Sequence, residues 1–383
     1  MGLIALTALG CVACANGPDS ELRSGLDDVP QWYVSSDLRI GSISDPDQAL
    51  SYIHEGLVAD GPDGRVYLGQ PQAGEIRMYD ASGNFLAAFG RSGEGPGEFS
   101  GLSGVRVVNG RIYAIDSRDR SIEFFSLRGE HLGTRLYRDV SEGEFAPYSP
   151  MQFFPDGSAL AAPARPARTA VDHLFVHVDS SGALLDTLLT FHSSRFVVPL
   201  RVGDRSASVR VPFGGPPLFA VSTDGKSYWV IGTPADAVYV LNKVAMGGDT
   251  LFSRSFQVIP VEIPGPILDS AVAATVADAR RVLETEGRAR SFVEDNVHIP
   301  SHYRPALSVR PNPGGGVWIE IPPHSDASQQ TWVLHSEDGD PISKVTLPAH
   351  VDIVLIDESR VLGIERDEYD VPNVVRFRID QKS

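Results

Sequence analysis

Residues 57 to 90 read LVADGPDGRVYLGQPQAGEIRMYDASGNFLAAFG. The stretch holds a short apolar strand, a turn at Asp63-Gly64, the alternating strand RVYLG, a gap, the strand EIRMYD, a turn at Ser82-Gly83 and a last strand FLAAF. Val, Ile, Tyr and Phe at alternate positions suit a pleated, half-buried surface, and Gly supplies the positive φ that tight hairpin turns need. The reading is four antiparallel strands joined by hairpin turns.

The same order returns in residues 105 to 136, with Asn109-Gly110 and Arg128-Gly129 as its turns. Gly64 to Gly83 and Gly110 to Gly129 are both separated by 19 residues. Looser copies follow at 151 to 190, 219 to 257 and 307 to 347, the last with strands GVWIEI and TWVLHS. The stretch 352 to 379 has only VLID, RVLGIE and VVRFRI, one strand short. A repeated four-strand sheet defines a β-propeller, and an N-terminal strand that completes the last blade removes the exposed edge. Residues 32 to 43, WYVSSDLRIGSI, are the natural closing strand. The expectation is an all-β, six-bladed β-propeller of four-stranded antiparallel blades over residues 32 to 383.

One stretch breaks the alternation. Between about 267 and 296, Leu268, Val272, Val276, Ala279 and Leu283 recur at the spacing of one helix face, which predicts a helical insertion between blades four and five. Asp269 and Ser270 are the expected caps, and Gly287 is expected to break the helix before a shorter one.

The linker after the first copy, residues 90 to 99, reads GRSGEGPGEF and resembles the G-x-x-G-x-G-x-G-x-F connection of NHL-repeat propellers. With IRMYDASGNFLAAFG before it and HYRPALSVRPNPGGGVWIEI later, the chain is similar to a bacterial six-bladed β-propeller family of exported proteins and lipoproteins. The resemblance spans nearly all of residues 32 to 383 and is sharp over about 57 to 136. It implies the fold and leaves the activity open, since function sits in sites carried by folds. Within GRSGEGPGEF, Arg91, Glu94 and Glu98 are ligand candidates; the simpler reading is a run of turn formers that lets the chain cross between blades, with Phe99 as an anchor.

The N-terminus differs from the rest. Residues 1 to 15, MGLIALTALGCVACA, are apolar, rich in small residues and too short to span a bilayer, as in the apolar core of a signal peptide. Ala8-Leu9-Gly10-Cys11 resembles a bacterial lipobox, with Cys14 as the alternative lipidation site, although no Lys or Arg precedes the apolar run. Residues 16 to 31 read as a flexible tether. The chain is therefore expected to be exported, periplasmic or outer-membrane-associated, touching the membrane only through an N-terminal lipid anchor.

Lys and Arg total 33 against 49 Asp and Glu, a formal charge of −16, which repels polyphosphate and excludes nucleic acid as a natural partner. Cys11 and Cys14 are the two cysteines, so the folded part carries no thiol. The ten histidines are scattered. His298 and His302 have helical metal spacing, but Pro300 lies between them; His173 and His177 share one face of a strand. No Gly-x-Ser-x-Gly elbow and no phosphate loop is present. Asp60, Asp116 and Asp357 recur near blade strands and Asp367, Glu368 and Asp370 crowd one loop, without the spacing of a calcium loop. No catalytic, cofactor or metal residue is assigned. The expected function is binding or scaffolding in the cell envelope with a protein, peptide or glycan as partner; the alternative is a calcium-dependent propeller hydrolase or lyase working in the central channel.

Overall fold

The repeats fold as consecutive antiparallel sheets in a computed structural model that describes residues 22–23, 26, 28–136, 148–163, 172–192, 196–323 and 328–381. The chain begins with β1 (Leu22–Arg23) and β2 (Gln31–Ile40), then a 3-10 turn at Glu55–Leu57. The first sheet is β3 (Val58–Asp60), β4 (Val66–Gln70), β5 (Glu75–Tyr79) and β6 (Phe85–Phe89), hydrogen-bonded in chain order. The second is β7 (Leu102–Val108), β8 (Arg111–Asp116), β9 (Ser121–Ser126) and β10 (His131–Leu136). The third is β11 (Tyr148–Phe153), β12 (Ala159–Pro163), β13 (Asp172–Val178) and β14 (Leu184–His192). A two-stranded hairpin, β15 (Val197–Val202) and β16 (Arg205–Arg210), stands apart.

The next sheet is β17 (Leu218–Val221), β18 (Ser227–Ala235), β19 (Val238–Ala245) and β20 (Thr250–Gln257), widened to five strands by β1 alongside β20. Helices α1 (Gly265–Leu283) and α2 (Glu286–Asn296) follow. The last sheet has eight strands. It joins β21 (Ser308–Pro311), β22 (Val317–Ile321), β23 (Gln329–His335) and β24 (Pro341–Pro348) to β25 (Asp352–Ile356), β26 (Arg360–Arg366), β27 (Pro372–Asp380) and β2. The strand ladder joins these two antiparallel sets where Gln31 and Trp32 of β2 run parallel to Lys344 and Val345 of β24. Otherwise β2 pairs antiparallel with β27 from Tyr33↔Asp380 to Ile40↔Val374, so the N-terminal strand completes the set that the C-terminus leaves one strand short.

The hydrophobic clusters run in a closed cycle. Tyr67 and Met78 pack on Val105 and Phe125; Tyr113 and Ile122 on Phe153 and Val176; Leu160 and Leu188 on Tyr228 and Val244. Trp229 and Tyr239 pack on Ile319 and Val333, Trp318 and Trp332 on Val361 and Val375, and Leu362 and Val374 return to Leu68 and Tyr79. Each fully buried side chain of this size contributes about 1.5–3 kcal/mol, so cohesion lies between neighbouring sheets around a ring. Each outermost strand also carries a bulge. In β6, β10, β14, β20 and β24 the extra residue is Leu86, Leu132, Leu185, Leu251 and Ile342, all exposed, and in β2 it is Asp37. A bulge twists an edge strand and limits further pairing: β6, β10 and β14 take no further strand among the described residues, and β20 and β24 take only two-residue parallel contacts from β1 and β2.

The N-terminal segment differs from a free tether over its second half. Leu22 and Arg23 pair with Ser255 and Phe256, and Leu26 and Val29 are buried in the cluster around Trp229. The apolar side chains of an otherwise polar stretch find a dry seat there. Residues 1 to 21, with Cys11 and Cys14, lie outside the described residues.

The helical insertion follows β20, with corrected ends. Pro264 precedes the first helical residue and Pro266 lies in the first turn, so α1 starts before Asp269 and Ser270, which cap nothing; Ser270 Oγ donates to Pro266 O instead. The break falls at Glu284, where φ is +67°, and Gly287 lies inside α2. Val276, Ala279 and Leu283 do form the buried face, and they pack on Leu200 and Val209 of the β15–β16 hairpin. That hairpin lies in the connection before β17 and was not anticipated as a separate element.

In a four-stranded antiparallel unit, the start of the first strand and the end of the fourth lie on one face. The hairpin, α1 and α2, and the segment before β3 are all connections of this kind, so they share the face on which the inner strands begin.

Candidate functional site

That face carries a cleft of about 470 Å³. Its walls come from the segment before β3 (Ile53, His54, Glu55), the start of β21 (Ser308, Arg310), the end of β22 (Glu320), the start of β23 and the turn before β25. Strand register explains the central pair. Glu320 lies directly opposite Ser308, and Arg310 is two residues along on the same face, within diagonal reach.

Arg310 is fixed from several sides. Its Nη2 donates to Glu55 Oε2 at 2.7 Å and to Ile353 O at 3.2 Å, and its Nη1 donates to Val309 O at 3.3 Å. Arg106, which follows Val105 in β7 as Arg310 follows Val309 in β21, donates through Nη1 to Gly56 O at 2.7 Å. Two guanidinium groups from different sheets therefore hold the Glu55–Leu57 turn, and burial lowers the Arg106 pKa from its ordinary value.

Glu320 is placed differently. No hydrogen bond to its carboxyl is formed among the described residues, and burial raises its pKa to about 7, with Arg310 pulling the other way. His54 accepts from Gly56 N–H through Nδ1 at 3.0 Å, leaving Nε2 as the protonated nitrogen; burial first and Arg106 second lower its pKa. On the rim, Arg366 donates to Ile53 O at 3.4 Å and to Asp370 O at 3.2 Å. The cleft thus offers a fixed cationic fork beside a carboxyl that changes charge near neutral pH. Such an arrangement can receive a ligand anion and exchange one hydrogen bond with a polar neighbour.

The residues singled out in the sequence lie elsewhere. Arg91 Nε donates to Glu98 Oε1 at 2.6 Å, and Glu98 Oε2 accepts from Gly95 N–H at 3.0 Å, which with Arg91 lowers the Glu98 pKa. The Glu94 side chain is exposed. The linker thus closes on itself, with Phe99 buried against Phe125. His302 Nδ1 lies 2.9 Å from Ser301 Oγ and 3.8 Å from Asp236, with no second histidine placed beside it among the described contacts. His177 Nε2 meets Ser158 Oγ at 2.8 Å. The side chain of His173 lies outside the described residues.

Asp116 accepts the N–H groups of Ser100, Gly101, Arg118 and Asp119 and so shapes two connections. Asp367 accepts from Tyr369 and Val371 N–H in the same manner. Asp60 and Asp357 both pair with Arg360. Burial raises the Asp60 pKa to about 6. Among the described residues no group of three or more His, Cys, Asp or Glu side chains is arranged to hold a metal ion.

Arg310 and Glu320 were missed in the sequence. The available signal was the Val-Arg pair that recurs in the first strand of two units, and a lone Glu inside GVWIEI.

No family model matches the chain, and no curated protein matches it. Among solved structures, a member of the DUF4221 family from Bacteroides vulgatus superposes with a TM-score of 0.53 at 10% identity, covering 92% of this chain and 99% of that one. A protein from Bacteroides fragilis named as an exported protein gives 0.45 at 13% identity, covering 94% and 99%. Virginiamycin B lyase from Staphylococcus aureus gives 0.41 at 9%, covering 91% and 99%. The chain is an all-β protein of the β-propeller class.

Proposed function

We propose that this chain is a six-bladed, NHL-like propeller of the bacterial cell envelope that binds a ligand in the cleft beside Arg310. Counting the eight-stranded sheet as two blades gives six around the closed cycle of clusters. Export, lipidation at Cys11 with Cys14 as the alternative, and a periplasmic or outer-membrane location belong to the same reading. They rest on the apolar N-terminal stretch and its lipobox-like sequence. No helix among the described residues is long and apolar enough to cross a membrane.

One observation carries the binding role. Glu320 is a half-buried carboxyl without a hydrogen-bond partner among the described residues, set beside an immobilised guanidinium in a cleft, and a ligand would satisfy both. The partner class is a peptide, protein or glycan bearing an anionic group for Arg310 and a polar group for Glu320. The calcium-dependent enzyme has no ligand set among the described residues.

The test is calorimetric titration of the full chain with trialanine and, separately, with galacturonate. Saturable heat from either, abolished by Arg310→Gln, supports the reading. Absence of heat from both, or binding that Arg310→Gln leaves unchanged, sinks it; conversion of a bound probe to product would transfer the chain to the enzyme class.

A further inference from the structure

A second surface lies on the inserted module. β15 and β16 form a hairpin that pairs with no other strand among the described residues. The bond from Val211 N–H to Phe196 O, 2.9 Å, sets the alternation beyond the strand ends. Phe196/Val211, Val198/Val209, Leu200/Ala207 and Val202/Arg205 are hydrogen-bonded pairs, and the pairs between them turn their backbone groups outward. On the β15 edge the outward residues are Val197, Pro199 and Arg201. Pro199 has no N–H, so that edge is blunted. On the β16 edge they are Ser206, Ser208 and Arg210, whose N–H and C=O groups make no hydrogen bond to another element among the described residues.

A groove of about 770 Å³ runs along this open edge, bounded on the far side by Asp278, Arg281 and Val282 of α1. Three guanidinium groups border it: Arg205, Arg210 and Arg281. Arg205 pairs with Glu284 and Arg281 with Asp278, while Arg210 has no carboxylate partner among the described residues. The chain as a whole is acidic, with a formal charge of −16, whereas this groove along an unpaired strand is bordered by three arginines.

We infer that the β16 edge takes up an extended acidic peptide segment of a partner protein as a third strand. Its backbone would bond to Ser206, Ser208 and Arg210, and its alternate carboxylates, which share one face, would reach Arg205 and Arg281 on the α1 side, with Arg210 adding positive charge on the other face. Strand addition uses an open edge for affinity and flanking side chains for choice of sequence. A guanidinium fork matches a carboxylate in two parallel hydrogen bonds, and it remains charged at any physiological pH. A second copy of this chain is a poor occupant, because edge-to-edge pairing of two β16 strands would lay two arginine-bordered edges of like charge side by side. This surface is separate from the cleft beside Arg310 and stands or falls without it.

The experiment is fluorescence anisotropy of the full chain with a labelled octapeptide of alternating Glu and Val. The expected result is saturable binding, weakened about tenfold or more by combined Arg205→Glu, Arg210→Glu and Arg281→Glu, in keeping with the loss of charge-assisted bonds. Ser208→Pro removes one outward N–H without changing charge and is expected to weaken binding by a similar factor. Because either variant could disturb the hairpin, the same peptide N-methylated at alternate positions is titrated against the unaltered chain, and it is expected not to bind. Equal binding of the methylated peptide, displacement by heparin with no preference for the peptide, or a concentration-dependent dimer that buries the edge would each overturn the proposal.

Discussion

The hydroxyl of Tyr239 lies 2.8 Å from Nε2 of His335, and both side chains are wholly buried where β19 faces β23. His335 Nδ1 lies 3.1 Å from Gly339 O, so this nitrogen donates and Nε2 accepts from the tyrosine. The imidazole is thereby held neutral, and burial lowers its pKa to about 4. A histidine whose pKa is lower in the folded than in the unfolded chain leaves stability intact above pH 6.5. Stability is then lost as the pH falls from 6.5 towards 4, because the unfolded chain takes up the proton first. The expected loss is about 3 kcal/mol across that window, from about 1.4 kcal/mol per pKa unit. Urea denaturation at a series of pH values, with wild type and His335→Gln, measures it; a drop of the same size in the variant would assign it to other groups. At pH 7, Tyr239→Phe leaves Nε2 without a donor and is expected to cost about 1–3 kcal/mol.

Ring closure depends on a different pair. Arg376 of β27 is 9% exposed and bonds Asp37 of β2 through Nε at 3.0 Å and Nη2 at 3.2 Å. The same guanidinium donates to Ala81 O at 2.8 Å and Gly64 O at 3.4 Å, so it links the closing strand to the first sheet. Asp37 is the bulge residue of β2, which sets its side chain against the guanidinium. Arg376→Ala removes four hydrogen bonds to partly buried acceptors and is expected to cost about 2–3 kcal/mol; Asp37→Asn, whose site is a third exposed, is expected to cost about 1 kcal/mol. Thermal unfolding of the two variants tests the order. Equal effects would show that the backbone carbonyls add nothing.

Much of this ring is legible in the chain itself. Gly64, Gly83, Gly110 and Gly129 mark turns with positive φ, and the strands between them alternate as half-buried strands do. The closing strand is legible as well, because a set one strand short needs a partner. The hairpin β15–β16 was missed although Gly203-Asp204 is a two-residue hairpin turn. It falls between repeats and is held by α1, a partner that lies far along the chain. Arg310 and Glu320 were missed for a related reason. Each is one charged residue in an apolar strand, and what makes a cleft of them is the Glu55 segment that the ring brings alongside. The parallel pairing of β1 with β20 leaves no local signal, since nothing near Leu22 specifies Ser255.

The linker GRSGEGPGEF is the sharpest motif in the sequence, and its geometry predicts a structural role. Gly90 has φ +81°, and a Cβ there would come within 2.5 Å of the Phe99 ring. Gly90→Ala therefore combines backbone strain with displacement of a buried aromatic, and it is expected to cost about 2–4 kcal/mol. Arg91→Ala and Glu98→Ala each remove one half of an ion pair on the surface of the loop and are expected to lower the melting temperature slightly. None of the three is expected to change binding of a probe in the cleft beside Arg310. A loss of binding at constant stability in Arg91→Ala would restore the linker as a ligand site.

Glu320 supplies the opposite pH dependence to His335. Its carboxyl has a higher pKa in the fold, about 7 against an ordinary 4.5, so its contribution to stability is complete below pH 4.5 and is lost as the pH rises through 7. Glu320→Gln keeps the shape and removes the charge. The variant and the wild type are expected to be about equally stable at pH 4.5, with the variant ahead by on the order of 2 kcal/mol at pH 8, partial exposure of the site reducing the full value of the shift. Denaturation of both proteins at the two pH values gives the difference directly. A ligand that donates a hydrogen bond to Glu320 or brings a cation to it would favour the ionised carboxylate, so its affinity would rise with pH between 6 and 8. An anionic ligand resting on Arg310 alone would lose affinity over the same range, as Glu320 charges beside it. The sign of that pH dependence distinguishes the two modes of occupancy, and Glu320→Gln is expected to abolish it in either case.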